Sequence, residues 1–140
     1  MVETYRLNEQ QLPAIPIPHD CVIETITLEN QWLVFSFEQD IGDRDSVKEI
    51  MPGAKSLTIK FHLVDEEFCL YEWHKPIKFL AGKGFYKQVD SSLLYQLASS
   101  KFNLEYLNHY VAYQSLMIEM CALTTIRLEL SVDSVEFHWN

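Results

Sequence analysis

The chain has 140 residues, 48% of them hydrophobic and 13% aromatic, and a formal net charge of −9. That size and apolar fraction suffice for one continuous core and exclude a disordered chain, so a single domain over 1–140 is expected. The acidic balance repels phosphate backbones and argues against nucleic acid as a partner, and no apolar run approaches the roughly 18 residues needed to cross a bilayer.

The N-terminus, MVETYRLNEQQ, carries acids and amides where a signal peptide would place a basic patch and an apolar core, so an unexported, cytoplasmic protein without membrane contact is expected. Pro16 and Pro18 then lead through the dipeptide His19-Asp20 into CVIETITL, rich in β-branched residues and read as a strand. WLVFSF is a second strand, and Glu29-Asn30-Gln31 between them suits a hairpin. DIGDRDSVKEIMPGAK reads as an acidic connecting loop with one helical turn at Ser46–Ile50. In SLTIKFHL, Leu57, Ile59, Phe61 and Leu63 alternate with polar residues at the period of a half-buried strand. A turn through Asp65-Glu66-Glu67 into FCLYEW predicts a second hairpin. The stretch HKPIKFLAGKGFYK holds Lys75, Lys78, Lys83 and Lys87 and no acid, and its AGKG reads as a surface loop. Ser91-Ser92 offers a polar cap to LLYQLASS, enough for one short helix.

Residues 102–123 admit two readings. Leu104, Leu107, Val111 and Ile118 mark a helical stripe, which would give an α+β chain with a long helix near 102–123. Leu116, Ile118 and Met120 against Met117, Glu119 and Cys121 mark strands, and Tyr106, Tyr110, Val111 and Tyr113 favour that choice. TIRLELSV and SVEFHW close the chain with strict alternation. The short connections favour antiparallel pairing, because parallel neighbours need long crossovers. The expected fold is therefore mainly β, an antiparallel sandwich or strongly curved sheet with one short helix.

The chemical candidates are few. His19 and Asp20 share one side only if they sit in a turn, where they serve as a structural turn or contact a ligand. Isolated His62, His74, His109 and His138 give no HxH or HxxxH spacing, and Cys21, Cys69 and Cys121 form no CxxC pair, so no metal, cofactor or disulfide framework is expected. The cysteines fall inside apolar strands, where a thiol behaves as a buried hydrophobe, and no catalytic residue is assigned. AGKG lacks the GxxxxGK[ST] spacing of a phosphate loop, and the acidic loop lacks the ligand spacing of a calcium loop.

Charge divides unequally along the chain. Residues 1–72 carry 14 acids and 5 bases, whereas residues 73–140 carry 6 of each. Glu38, Asp40, Asp43, Asp45 and Glu49 concentrate the excess in one loop and are candidates for contact with a basic protein. Tyr5, Trp32, Tyr71 and Trp73 are candidate aromatic anchors.

The order HDCVIETITL, WLVFSF, SLTIKF and a final SVEFHW resembles a loose group of small bacterial β-rich proteins that begin with a His-Asp dipeptide leading into a strand. Some of these are assigned as immunity proteins of polymorphic toxin systems. The resemblance implies an antiparallel β fold without enzymatic activity and, for the immunity members, binding of a cognate toxin. Two other readings stand beside it: a small-ligand-binding or hydrolytic protein with its site near His19 and Asp20, and a homo-oligomer in which an apolar strand edge or the C-terminal SVEFHWN pairs with a second copy.

Overall fold

The structure, a computed structural model, describes residues 1–75, 84–99 and 101–140. Its strands are β1 (Val2–Arg6), β2 (Cys21–Glu29), β3 (Trp32–Phe37), β4 (Leu57–Leu63), β5 (Cys69–His74), β6 (Phe85–Val89), β7 (Glu105–Ala112), β8 (Ser115–Cys121), β9 (Thr125–Leu130) and β10 (Val132–Trp139). Two short helices, α1 (Asp45–Lys48) and α2 (Leu93–Leu97), and a 3-10 turn over Ile41–Asp43 complete the described elements. The strands form one sheet in the order β1-β10-β4-β3-β2-β7-β8-β9-β5-β6, antiparallel throughout.

The alternation read from sequence becomes the buried face. Along β4, Leu57, Ile59, Phe61 and Leu63 are buried while Thr58, Lys60 and His62 are half-buried on the other side. Leu33 and Phe35 oppose Phe61 and Ile59, which oppose Val135 and Phe137 in turn. Burying each such side chain contributes about 1.5–3 kcal/mol before the entropy of ordering is subtracted.

The sheet bends sharply at β2. Most of β2 pairs with β3, but only Cys21 and Val22 pair with β7, and the β2–β3 register shifts between Ile23 and Thr25. A bulge of this kind increases local twist and re-aims the strand. The two halves consequently fold over one core, in which Phe35, Phe61 and Phe137 join Tyr106, Ile118, Met120 and Leu128. Gln114 holds the far corner: its N–H donates to Leu7 O and its carbonyl accepts from Val132 N–H, at 2.9 and 3.1 Å.

Several expectations are resolved here. The fold is mainly β and antiparallel, an open curved sheet. Residues 102–123 are not a long helix: β7 and β8 form a hairpin through Tyr113-Gln114, with Gln114 at φ 49°. The helical stripe misleads because a bulge between Tyr106 and Asn108 resets the alternation, leaving Tyr106 and His109 both buried. The hairpin between β2 and β3 is present, turning through Asn30 and Gln31, both at positive φ as a tight right-twisting turn requires. The second expected hairpin is not formed. β4 is flanked by β3 and β10, so the Asp65–Glu67 segment carries the chain to the other half, where β5 pairs with β6 and β9. Besides the expected short helix, realised as α2, the helical turn expected at Ser46–Ile50 forms as α1, one residue earlier at its start. Of AGKG, only Gly84 is among the described residues; Lys78 and Lys83 lie outside them, and Lys87 belongs to β6.

Candidate functional site

The His19-Asp20 turn is built against β7. Asp20 occupies the left-handed region at φ 65°, its N–H donates to Tyr106 O at 2.8 Å, and His19 N–H donates to Ile17 O at 2.9 Å. A turn, unlike a strand, lets the neighbours share a side: His19 Nε2 lies 3.3 Å from Asp20 Oδ2, with side chains 57% and 60% exposed. His19 Nδ1 donates to Leu107 O at 2.7 Å, a bond across to β7. The carboxylate that meets the start of β2 belongs to Glu38, whose Oε2 accepts Val22 N–H at 2.5 Å.

Glu38 is an internal clamp. Its Oε1 also accepts Arg44 Nε at 2.8 Å and lies 2.7 Å from Arg44 Nη2. The rest of the acidic loop is exposed but anchored. Ile41 and Val47 are fully buried, Asp40 N–H donates to Lys55 O at 2.7 Å, and Gly42 N–H donates to Ala54 O at 2.9 Å. A Cβ at Gly42 would collide with the backbone of Gly53 and Ala54, so the glycine allows the loop to lie flat on that segment. Asp40, Asp43, Asp45 and Glu49 are thereby held outward on fixed backbone.

These two regions, far apart in sequence, meet. His19, Asp20, Asp43, Arg44, Asp45 and Ser46 line one cleft of about 290 Å³, and Ser46 Oγ donates to His19 O at 2.7 Å across it. Asp40 and Glu49 flank the cleft on the same loop without lining it, and Lys75 and Lys87 are absent from its walls. The His19-Asp20 turn and the acidic loop together carry the carboxylates of Asp20, Glu38, Asp40, Asp43, Asp45 and Glu49 and the cations of Arg44 and Lys48, and Glu105 also acts on Arg44. Arg44 is held by Glu38, and Lys55 lies 3.8 Å from Asp40.

The chemistry available is acceptance of positive charge. The Ser46 hydroxyl donates to a backbone carbonyl and not to the His19 ring, so Ser46 is not joined to that ring as nucleophile to base. Cys21 Sγ lies 3.7 Å from Ser46 Oγ, but Cys21 is fully buried and burial raises its thiol pKa. Among the described residues, no group of three or more His, Cys, Asp or Glu side chains is placed to hold a metal ion.

The other singled-out residues pack elsewhere. His62 Nδ1 lies 2.8 Å from Asp133 Oδ1 and His138 Nε2 lies 2.9 Å from Glu136 Oε1. His109, expected as one more isolated histidine, sits in a buried relay: Tyr106 OH lies 2.6 Å from its Nδ1, and its Nε2 lies 3.0 Å from Ile15 O. Tyr5 packs edge-on against Phe137, Trp32 against His62, and Trp73 against Tyr86. Among the described residues, no helix is long and apolar enough to cross a membrane. Comparison with known protein families, curated proteins and solved structures finds no match to this chain.

Proposed function

We propose that this chain is a non-enzymatic protein-binding domain of bacterial, immunity-like type, acting in the cytoplasm, and that its acidic cleft receives a basic protein. The observation that carries this reading is the meeting of the His19-Asp20 turn with the anchored acidic loop. Asp20, Asp43 and Asp45 line a common space, while the adjacent guanidinium of Arg44 is already paired with Glu38. A surface charged in one sign and held on rigid backbone steers a basic partner and needs little reordering on contact. The free thiols of Cys21, Cys69 and Cys121 fit a reducing compartment.

The test is affinity capture from the native host's lysate at low and high salt, followed by association kinetics with the retained protein. Changing Asp40, Asp43 and Asp45 to Lys should slow association and flatten its salt dependence while leaving the circular dichroism spectrum intact. Unchanged kinetics would remove the acidic loop from the interface. A second reading, a small-ligand or hydrolytic site at His19 and Asp20, is favoured by the exposure of both side chains within the cleft. Titration with small guanidinium and ammonium compounds, monitored at the His19 ring by NMR, separates it from the first.

A further inference from the structure

The sheet ends in two strands, β1 and β6, and among the described residues no strand pairs with the outer edge of either. Such an edge is a template for another strand unless lysine, proline or a bulge blunts it. β6 is blunted by exposed Lys87 at its centre. β1 has no lysine, proline or bulge, and its one inner-face acid, Glu3, is engaged by Trp139 Nε1 at 2.5 Å.

The bonding phase of β1 follows from its ends. Met1 and Trp139 exchange both backbone hydrogen bonds, at 3.0 and 2.9 Å, and Leu7 N–H donates to Asp133 O at 2.8 Å. In an antiparallel ladder the bonded pairs alternate, so Glu3 and Tyr5 also bond β10. Val2, Thr4 and Arg6 therefore present their N–H and C=O groups outward, and their side chains are exposed on the solvent face.

We infer that the open edge of β1 pairs antiparallel with β1 of a second copy, about a two-fold axis at Thr4. Only this register uses every free backbone group: Thr4 opposes Thr4, and Val2 opposes Arg6 twice. The side chains complement one another in that register. The aliphatic stem of Arg6 covers the partner copy's Val2, which is 54% exposed, and its guanidinium reaches toward Glu136, which neighbours Thr4 across the β1–β10 ladder. Among the described residues, Arg6 forms no ion pair within its own chain. Pairing β1 with β6 of another copy would instead be head-to-tail and open-ended, and would set Lys87 in its middle.

Sedimentation velocity of the full chain from micromolar to millimolar concentration should show a monomer–dimer equilibrium that Thr4→Pro abolishes, since proline removes an outward N–H and no β10 bond. In a Cys69→Ser, Cys121→Ser background, Thr4→Cys should give a disulfide dimer on mild oxidation. Opposed Cα atoms in a bonded antiparallel pair lie about 5.5 Å apart, within disulfide range. Val2→Cys should not cross-link, because the two copies of that residue lie about 14 Å apart along the strand. A monomer at every concentration, or a dimer that survives Thr4→Pro while Thr4→Cys and Val2→Cys cross-link equally, overturns the inference.

Discussion

Replacing Glu38 by Gln tests whether this carboxylate belongs to the frame of the site or to its contact surface. Both oxygens are occupied, one by Val22 N–H at 2.5 Å and the other by the Arg44 guanidinium at 2.7 Å. A glutamine presents one acceptor and one NH₂, so whichever way it turns, a donor faces a donor at Val22 or at Arg44. Hydrogen bonds to charged groups contribute about 1.5–3 kcal/mol, and the Glu38 side chain is 18% exposed, so solvent screens the interaction only partly. An unfolding entropy of about 2.1 cal/mol/K per residue, over 140 residues, gives roughly 0.3 kcal/mol per degree. Glu38→Gln should therefore lower the thermal midpoint by about 5–10 °C. Asp43→Asn and Asp45→Asn, which alter exposed side chains, should each cost under about 0.5 kcal/mol, or roughly 2 °C. Far-ultraviolet circular dichroism melts of the three variants decide the matter. If Glu38→Gln melts with the two exposed variants, the clamp is not structural and Glu38 returns to the contact surface.

Two further outcomes follow from buried groups. Burial lowers the His109 pKa, partly offset by the bond to Ile15 O, so below about pH 6.5 the unfolded chain takes up a proton that the folded chain does not. Stability should thus fall as pH drops through that value, and urea midpoints at pH 8 and pH 5 should differ less in His109→Gln; an equal drop in both proteins contradicts the assignment. Burial likewise protects Cys21 and raises its thiol pKa, so a maleimide reagent should modify Cys69 and Cys121 under native conditions and reach Cys21 only on unfolding, as peptide mass mapping will show.

Legibility in the sequence followed the reach of each interaction. Strands whose two faces differ, such as Leu57–Leu63 and Thr125–Leu130, were readable because solvent and core impose opposite demands on alternate residues. β1 and β6 were not, since sheet edges bury little and β6 shows no apolar face. Pairing across the chain was also hidden. Nothing local distinguishes Asp65-Glu66-Glu67 as a crossing between halves from a hairpin turn, because the decision is made by β3 and β10, which occupy both flanks of β4. The same holds for the site. His19-Asp20 and the acidic loop were each visible as features, but their meeting depends on the bend at β2, and the division of labour between Glu38 and its exposed neighbours depends on Val22 and Arg44. No spacing rule reports contacts of that range.

The position of the cleft follows from the weakest stretch of the sheet. β2 and β7 share only two residue pairs, so the ladder itself does little to join the halves there. Asp20 and Tyr106, Ile23 and Leu104, and His19 and Leu107 add bonds across the seam, while Ser46 and Glu38 tie the acidic loop to its β2 side. The elements that line the cleft are thus also those that close the fold at its bend. Like charges gathered there repel one another, with Arg44 and Lys48 on the same loop and Lys55 beside Asp40. A cationic partner would remove the repulsion and draw the turn and the loop together, so its binding energy would appear in part as stability of the seam, growing with partner concentration as linkage requires.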